Sequence, residues 1–365
     1  MFDRRLLQCF DWGLLCLTVL LVIIGLCNLY SAVTAGGAQK VLFVKQLIWY
    51  GIGFAAMGAA FVIDYKTLER WTGLIYFVCI VSLVCVLFFG TYAGGSRRWL
   101  SFMGFSIQPS EIAKIAVVLA LAKYYSKVAD AGGLILRELV RPFITVLIPF
   151  VLVVKQPDLG TAMLILLIAL SMTCFLKIEK RSLLCLLSVA VVTIPMVWFC
   201  LKEYQKQRIL TFLNPERDPL GTGYHIIQSK IAIGSGMIFG KGFTKGTQNA
   251  LSFLPEQHTD FIFSVLAEEW GLVGSFTLLF IFMLLIIKGL SVAHKCKDSF
   301  GIILSVGIIA IISWEYLINI GMVTGLVPVV GIPLPLISYG GSSVISTMIC
   351  MGLLMNISMR RFAVG

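Results

Sequence analysis

Apolar residues in this chain run in long unbroken stretches, and the polar residues gather in short clusters between them. Ten stretches approach the roughly 20 residues that a helix needs to cross a bilayer. Continuous apolar runs predict helices rather than strands, and a helix satisfies its own backbone inside lipid. The fold class is predicted to be all-α, a polytopic membrane protein with about ten transmembrane helices in a single domain, 1–365. The predicted spans lie near residues 12–32, 43–63, 72–90, 107–126, 139–156, 159–176, 183–201, 261–287, 301–324 and 338–357.

The composition agrees with a membrane-embedded chain. Hydrophobic residues make up 59% of the 365 residues and charged residues 13%, whereas a soluble globular domain is about 25% charged. The ten cysteines lie in predicted spans or at their cytoplasmic ends, without CxxC spacing. That distribution is typical of small buried hydrophobic residues rather than a disulfide framework or a metal site.

The basic residues predict the orientation of the chain. With the N-terminus inside, sixteen of the 29 Lys and Arg residues fall on the internal face and five on short external connections. Such an excess is the positive-inside signal, so both termini are expected in the cytoplasm. The net charge of +11 therefore reflects membrane topology and does not indicate a nucleic-acid partner.

Two segments interrupt the regular succession of predicted transmembrane spans. Residues 202–260 form a long external loop between the seventh and eighth spans, and within it Tyr224, Ile227 and Ile231 follow helical spacing. That piece is either an interfacial helix or an ordered, glycine-punctuated loop. Residues 325–343 are apolar and uncharged but carry three prolines, which indicates either a protein-buried loop at membrane depth or a tight structural turn.

The even-numbered spans run inward, so each of their N-termini lies at the external face. Pro109 and Pro157 stand just at two of these starts, where proline is favoured. Helix N-termini carry free N–H groups and partial positive charge, which suits phosphate. If the four starts converge, they form an anion-receptive pocket; they read "QPSEIAK", "QPDLGTA", "HTDF" and "ISYGGSS".

Three of these helix starts also carry an acid: Glu111, Asp158 and Asp260. An acid in a first turn is often simple compensation of the helix dipole. Lys114, however, follows Glu111 by three residues inside a span, where a lone ammonium is costly. We therefore expect Glu111 and Lys114 to pair, and a paired cation that faces a cavity can also receive a phosphate.

An external loop after the third span holds Arg97, Arg98 and Trp99. An aromatic residue beside two arginines is either an anchor in the lipid interface or a grip on phosphate and sugar, given the fork geometry of arginine. Position alone leaves both interpretations open.

Glu256, His258 and Asp260 crowd three titratable groups into "LPEQHTDF", directly before the eighth span. One histidine with two acids is too few ligands for a zinc site, and the chain offers no nucleophile elbow for a hydrolase. A single carboxylate at a helix mouth suits a general base when burial and a neighbouring acid raise its pKa. The residues alone thus indicate an external-face enzyme or transporter that handles an anionic amphiphile.

Six motifs together resemble the shape, elongation, division and sporulation (SEDS) family, in the same order and over nearly the whole chain. They look more like the elongation member than the division member. The motifs are "RRWLSF", "QPSEIAK", "KQPDLGTA", "RILTFLNPERDPLGTGYHIIQSKIAIGSG", "FLPEQHTDFIFSVLAEEWG" and "NIGMVTGLVPVVGIPLPLISYGGSS".

The resemblance implies a ten-helix peptidoglycan glycosyltransferase of the bacterial cytoplasmic membrane that polymerises lipid II at the outer face during cell elongation. Asp260 matches the family's essential acid and would deprotonate the acceptor 4-hydroxyl, which attacks the donor with inversion and expels undecaprenyl pyrophosphate. Arg98 and Lys114 would stabilise that leaving group. The remaining substrate-binding candidates are Trp99, Glu111, Asp158, Gln228, Glu256 and His258, with Glu256 and His258 as tuning neighbours of Asp260.

The resemblance also implies partners: a class B penicillin-binding protein (a transpeptidase), other elongation proteins and membrane lipid. A divalent cation such as Mg²⁺ or Mn²⁺ is compatible with this chemistry, but the sequence shows no site for it. The chain departs from the family at Met237, where a glycine is expected, and at Glu315, where a neutral residue is expected. An acid inside a span is by default a functional candidate, and a hydrogen bond between Glu315 and Asn319, one turn on, is the milder interpretation.

Two other functions compete with polymerisation. A flippase for lipid-linked precursors explains the ten spans equally well, but it predicts a polar path through both halves of the membrane. Polar residues within the spans thin out toward the cytoplasmic ends, which favours the enzyme. A scaffold that only holds a partner would tolerate Asp260→Asn.

Overall fold

The computed structural model describes residues 10–35, 40–93, 96–102, 105–128, 133–185, 188, 191, 199, 203–218, 221–250 and 256–360. These residues form a helical bundle with one small sheet. The helices are α1 Trp12–Ala35, α2 Lys40–Val62, α3 Tyr65–Phe89, α4 Pro109–Val128, α5 Leu136–Lys155, α6 Leu159–Phe175, α7 Glu203–Leu213, α8 Thr222–Ser235, α9 Thr247–Ala250, α10 Ile262–Lys295, α11 Ser299–Thr324 and α12 Gly341–Arg360. The antiparallel strands are β1 Thr91–Ala93, β2 Ser96–Phe102 and β3 Phe105–Ile107.

The all-α membrane fold predicted from the sequence is confirmed. Six of the described helices, α1 to α3 and α10 to α12, are long and apolar enough to cross a membrane, and α6 is a shorter apolar helix. Nine predicted spans coincide with a described helix, counting α4 and α5. The seventh predicted span, 183–201, lies largely outside the described residues, so the count of ten helices stays a prediction.

Helices α11 and α12 lie at the centre of the bundle. Most of their residues are buried, and α11 packs against α4, α6 and α10 while α12 packs closely against α2. Buried amides join neighbouring helices of the bundle. Asn356 Nδ2, for example, donates to the carbonyl of Ile63 at 2.8 Å, and Asn28 Nδ2 donates to that of Ile262 at 2.9 Å. Such bonds fix the ends of α2 and α10, because a buried backbone carbonyl needs a partner.

Helix α10 is broken near its start. Gly271 has φ 63° and ψ −157°, a conformation that only glycine adopts readily. The backbone groups freed by the break bond to a neighbouring segment: Leu272 N donates to Met237 O at 2.9 Å, and Lys241 N donates to Glu268 O at 3.0 Å. Residues 237–242 therefore complete the interrupted helix and dock the segment before α9 onto it.

Residues 224–231 are helical, in agreement with the interpretation as a helix rather than as a glycine-punctuated loop. Helix α8 packs against α10 and α11 through Ser229, whose hydroxyl donates to Val323 O at 2.6 Å and lies 2.8 Å from Ser264 Oγ. Just beyond its end, Met237 takes a positive φ of 49°. The turn keeps the left-handed geometry that favours glycine, although a methionine occupies it.

The apolar segment after α11 is a buried loop without regular structure, here named the 325–340 loop. Ile332, Leu334 and Leu336 are each no more than 2% exposed. The loop is held by bonds from outside it: Tyr50 OH donates to Leu336 O at 2.7 Å, and Asn319 Nδ2 donates to Ile332 O at 2.7 Å. These contacts match the protein-buried loop rather than a tight turn.

Candidate active site

The starts of α4, α6 and α12 converge, which is the condition that the sequence pattern set for a shared pocket, and Gln108 joins them. Its side-chain Nε2 donates to Asp158 Oδ2 at the start of α6, and its backbone N donates to Ser342 Oγ at the start of α12, both at 3.0 Å. The turn before α10 is tied to the same region by the 325–340 loop, because Ser338 Oγ donates to Thr259 O at 2.6 Å. The positive ends of several helix dipoles therefore meet in one place.

Asp260 lies in the turn that precedes α10 and is partly exposed. Its carbonyl accepts a hydrogen bond from Asn319 Nδ2 at 3.0 Å, which fixes the turn to α11. Its carboxylate lies against the 325–340 loop: a Cβ built on Gly331 would stand 3.2 Å from Asp260 Oδ2. Gly331 has φ +72°, so glycine serves both the backbone conformation and the close approach.

The environment of Asp260 raises the pKa of its carboxyl to about 6. Burial is the largest cause, and the Glu256 carboxylate adds to it. The guanidinium groups of Arg98 and Arg208 lower the pKa, and the Asp158 carboxylate raises it by the smallest amount. A carboxyl with this pKa is largely ionised at neutral pH and is a stronger base than a solvated aspartate.

Arg98, on β2, is held at the start of α6. Its Nη2 donates to Pro157 O at 3.1 Å, and its Nη1 lies 3.7 Å from Asp158 Oδ1. Asp158 is buried and caps α6 by accepting from Thr161 N at 3.2 Å and from Thr161 Oγ1 at 2.9 Å. Asp158 thus compensates the helix dipole and also orients Arg98. Arg98 and Gln108 are therefore the partners of Asp158, which the sequence alone did not indicate.

Glu111 and Lys114 pair as predicted. Lys114 Nζ donates to both carboxylate oxygens of Glu111, at 3.0 and 2.9 Å, and Ser346 Oγ on α12 donates to Glu111 Oε2 at 2.8 Å. Lys114 also forms an ion pair with Glu315 of α11. All three charged side chains are buried, at 2%, 6% and 2% exposure for Lys114, Glu111 and Glu315.

The prediction of a bond between Glu315 and Asn319 is wrong. The carboxylate of Glu315 pairs with Lys114, while Asn319 Nδ2 donates to the carbonyls of Asp260 and Ile332. The buried ammonium of Lys114 needs an opposite charge, and the Glu315 carboxylate supplies it. The neutral amide of Asn319 donates instead to the two carbonyls outside the helices.

The neighbours of Asp260 in the turn have different environments. Glu256 is exposed and has φ 49°. His258 is half-buried; its Nε2 lies 4.0 Å from Glu256 Oε2, and its carbonyl accepts from Tyr339 N at 2.9 Å. Burial lowers the pKa of His258, and Glu256 partly offsets that effect. His258 is therefore neutral at pH 7, while Glu256 acts on the carboxyl of Asp260 through its charge.

The remaining candidates lie around this centre. Trp99 follows Arg98 on β2 and is partly buried, and Gln228 is partly exposed on α8. The described residues contain no group of three or more His, Cys, Asp or Glu side chains that could hold a metal ion. They therefore offer no ligand set of that kind for Mg²⁺ or Mn²⁺, and no step below passes through a metal.

Sequence reasoning missed the contacts that join distant elements. Arg208 on α7, Gln108 before α4 and Ser346 on α12 all belong to the site or to its support. Gln108 stands next to Pro109 in a quoted motif, so its position at a helix start was a usable signal. Arg208 opens another quoted motif, but the motif does not indicate its partner, and Ser346 lies outside the quoted motifs; the partners of both lie far away along the chain.

Comparisons with known proteins agree with one family. The FtsW, RodA and SpoVE family model, described as cell cycle protein, matches residues 8–362. The peptidoglycan glycosyltransferase MrdB of Escherichia coli K12 is 43% identical over 352 residues, covering 94% of this chain and 93% of that protein. Stage V sporulation protein E of Bacillus subtilis is 38% identical over 362 residues, covering 95% and 96%.

Solved structures show the same fold. A chain from a peptidoglycan synthase complex that coordinates polymerization and crosslinking superposes with a TM-score of 0.81 at 32% identity, covering 97% of this chain and 98% of that one. The rod shape determining protein RodA of Thermus thermophilus superposes with a TM-score of 0.71 at 27% identity and the same coverage. The chain belongs to the FtsW, RodA and SpoVE family, which is the SEDS family.

Proposed function

We propose that the protein is a peptidoglycan glycosyltransferase that polymerises lipid II into glycan strands during cell elongation. The observation that carries the proposal is the carboxylate of Asp260, with a pKa of about 6, held beside two arginines close to converging helix starts. The name of the relative in Escherichia coli, peptidoglycan glycosyltransferase MrdB, agrees with this activity. A lone tuned base beside positive charge is what transfer from a lipid diphosphate requires.

In the proposed reaction, Asp260 removes the proton from the 4-hydroxyl of the acceptor sugar. The hydroxyl oxygen attacks the anomeric carbon of the donor, and a new C–O bond forms as the bond to the diphosphate oxygen breaks. The configuration at the anomeric carbon inverts, and the electron pair leaves with undecaprenyl pyrophosphate. The leaving diphosphate needs little protonation, so one protein carboxylate is sufficient.

Positive charge at the site supports departure of the diphosphate. Arg98 is partly exposed beside the starts of α4 and α6, where its guanidinium can pair with phosphate oxygens. Lys114 is buried between two carboxylates. We therefore assign it a role through Glu111, Glu315 and Ser346, in which it holds α4, α11 and α12 together beneath the pocket.

The proposed location follows from the charge pattern of the sequence. The starts of α4, α6, α10 and α12 face the outside of the bacterial cytoplasmic membrane, and both termini face the cytoplasm. Lipid II presents its sugars at that outer face. We further propose a class B penicillin-binding protein as the partner that cross-links the strands, since a similar chain occurs in a complex that couples polymerization with crosslinking.

The test uses purified protein with fluorescent lipid II, and the products are separated by gel electrophoresis. Wild-type protein is expected to give a ladder of glycan strands, and Asp260→Asn none. Glu203→Gln, a matched change at an exposed acid on α7, keeps the ladder. A ladder from Asp260→Asn would refute the assignment of the base. Movement of lipid II across sealed vesicles without any ladder would show a flippase instead.

A further inference from the structure

Helix α7 brings an arginine to the turn that holds Asp260. Arg208 lies midway along α7 and is partly buried. Its Nη1 donates to Val329 O at 3.5 Å, at the long end of hydrogen-bond distances. Val329 stands two residues before Gly331, the glycine that lies against the Asp260 carboxylate. Arg208 therefore reaches the same short stretch of the 325–340 loop that Asp260 contacts.

That stretch of loop is confined on its other side by α6. A Cβ built on Gly160, in the first turn of α6, would stand 2.6 Å from Val330 O. The backbone of residues 329–331 thus lies between the start of α6 and the Asp260 carboxylate, with no room for a larger residue at position 160. Arg208 donates to Val329 O from the α7 side and so confines the same stretch of backbone there.

We propose that Arg208 is a positioning residue for the glycosyl transfer: it holds residues 329–331 against Asp260 and supplies a second positive charge beside that carboxylate. The inference rests on the proposed function, because it assumes that Asp260 acts as the base. It adds a residue from α7 to a site otherwise built from β2, helix starts, the turn before α10 and the 325–340 loop.

Electrostatics supports the same role. The charged groups that act on Asp260 are Glu256 in its own turn, Asp158 at α6, Arg98 on β2 and Arg208 on α7. The two carboxylates oppose ionisation of Asp260, and the two arginines favour it. Arg98 also serves Asp158, at 3.7 Å. Removing Arg208 would therefore leave Asp260 with one shared cation against two acids, and the pKa of Asp260 would rise.

Two uncharged groups near the turn do not change this sign. His258 lies beside Glu256, and burial lowers its pKa, so its imidazole is neutral near pH 7. The ring of Tyr339 lies 5.8 Å from that of His258, and burial raises the pKa of its phenol. Neither group is altered in Arg208→Gln, so neither accounts for a difference in midpoint between that variant and wild type.

The alternative is that Arg208 is an ordinary solvated residue of a surface helix. Lys206, two residues earlier on α7, pairs within its own helix instead: its Nζ lies 3.2 Å from Glu203 Oε1, and the side chains of Lys206 and Glu203 are 25% and 83% exposed. A pair of this kind at the surface contributes little to stability. Lys206→Gln is therefore the matched control, since it removes one positive charge from the same helix.

The experiment measures kcat/KM for glycan polymerisation between pH 5 and pH 8 in wild type, Arg208→Gln, Arg208→Lys and Lys206→Gln. In Arg208→Gln we expect the midpoint of the acid limb to move up by about 0.5–1 pH unit, because an opposite charge is lost. Arg208→Lys keeps the charge, so its midpoint stays near that of wild type. Lys206→Gln leaves both rate and midpoint unchanged.

An unchanged midpoint in Arg208→Gln, or an equal shift in Lys206→Gln, would overturn the proposal. If Arg208→Gln turns over too slowly to assay, the carboxyl of Asp260 in that variant is titrated by infrared difference spectroscopy. The spectrum of Asp260→Asn identifies the band, and the same shift of the midpoint is expected. Absence of polymer from the wild-type protein would instead refute the proposed function. The infrared titration still tests the effect of Arg208 on Asp260 in that case.

Discussion

Replacing Lys114 with methionine would leave two buried glutamates facing each other without their shared cation. In the native protein Lys114 Nζ contacts both oxygens of Glu111 and also Glu315, and none of the three side chains is more than 6% exposed. Removing one partner of a buried ion pair typically costs about 3–5 kcal/mol, because an uncompensated charge remains. We expect Lys114→Met to fall in that range.

A double-mutant cycle separates the charge from the packing. Glu315→Gln keeps a hydrogen-bonding side chain beside Lys114 and leaves Glu111 as its counter-ion, so this change alone is expected to cost less than about 1.5 kcal/mol. In the double variant Lys114→Met, Glu315→Gln, one unpaired carboxylate remains instead of two. The double variant is therefore expected to recover about 1–3 kcal/mol of the loss, as coupled neighbours do.

The assay is equilibrium unfolding of the purified protein in mixed micelles, followed by tryptophan fluorescence, with Lys206→Met as the control outside the buried cluster. The control is expected to stay within about 0.5 kcal/mol of wild type. Additive free energies of unfolding for the two single variants would refute the coupling. A cost below about 1 kcal/mol for Lys114→Met would show that the three side chains do not form a buried, charged cluster.

Three further predictions follow from the geometry of the site and of α8. Polymerisation by wild-type protein should lose half its kcat/KM near pH 6 as pH falls, because Asp260 must be ionised and the pKa of its carboxyl is raised to about 6; a midpoint near pH 4 would contradict this environment. Gly331→Ala should lower kcat, because φ is +72° and the added Cβ would lie 3.2 Å from Asp260 Oδ2, whereas Gly234→Ala, with open space around it, should keep wild-type kcat. Met237→Gly should raise the thermal unfolding temperature, because a φ of 49° costs a non-glycine residue about 1 kcal/mol; no rise would show that the strain is relieved by other contacts.

Local sequence rules were enough for the parts of the site that lie within one or two helical turns. The pairing of Glu111 with Lys114 follows from their spacing and from the cost of a lone ammonium in a span. The helix starts follow from Pro109 and from the acid that precedes α6. Each of these expectations needed only residues a few positions apart, where helix geometry fixes which side chains meet.

Contacts between distant segments could not be predicted in this way. Glu315 was expected to bond to Asn319, one turn away, but its partner Lys114 lies on another helix. Arg208 opens a quoted motif, but nothing near it in the sequence indicated its contact with Val329. Its meaning depends on where α7 packs against the 325–340 loop, and that packing is decided by the whole bundle.

The environment of Asp260 shows why the base depends on assembly rather than on its own turn. Burial and two carboxylates raise the pKa of Asp260, and two arginines lower it. The balance near 6 keeps the carboxylate ionised at neutral pH while leaving it basic enough to accept a proton. These opposing charges come from β2, from the start of α6, from α7 and from the turn itself. Displacing α7 from the 325–340 loop would therefore change the pKa of Asp260 without any substitution at Asp260. The packing of α7 thus sets the basicity of a residue in another element.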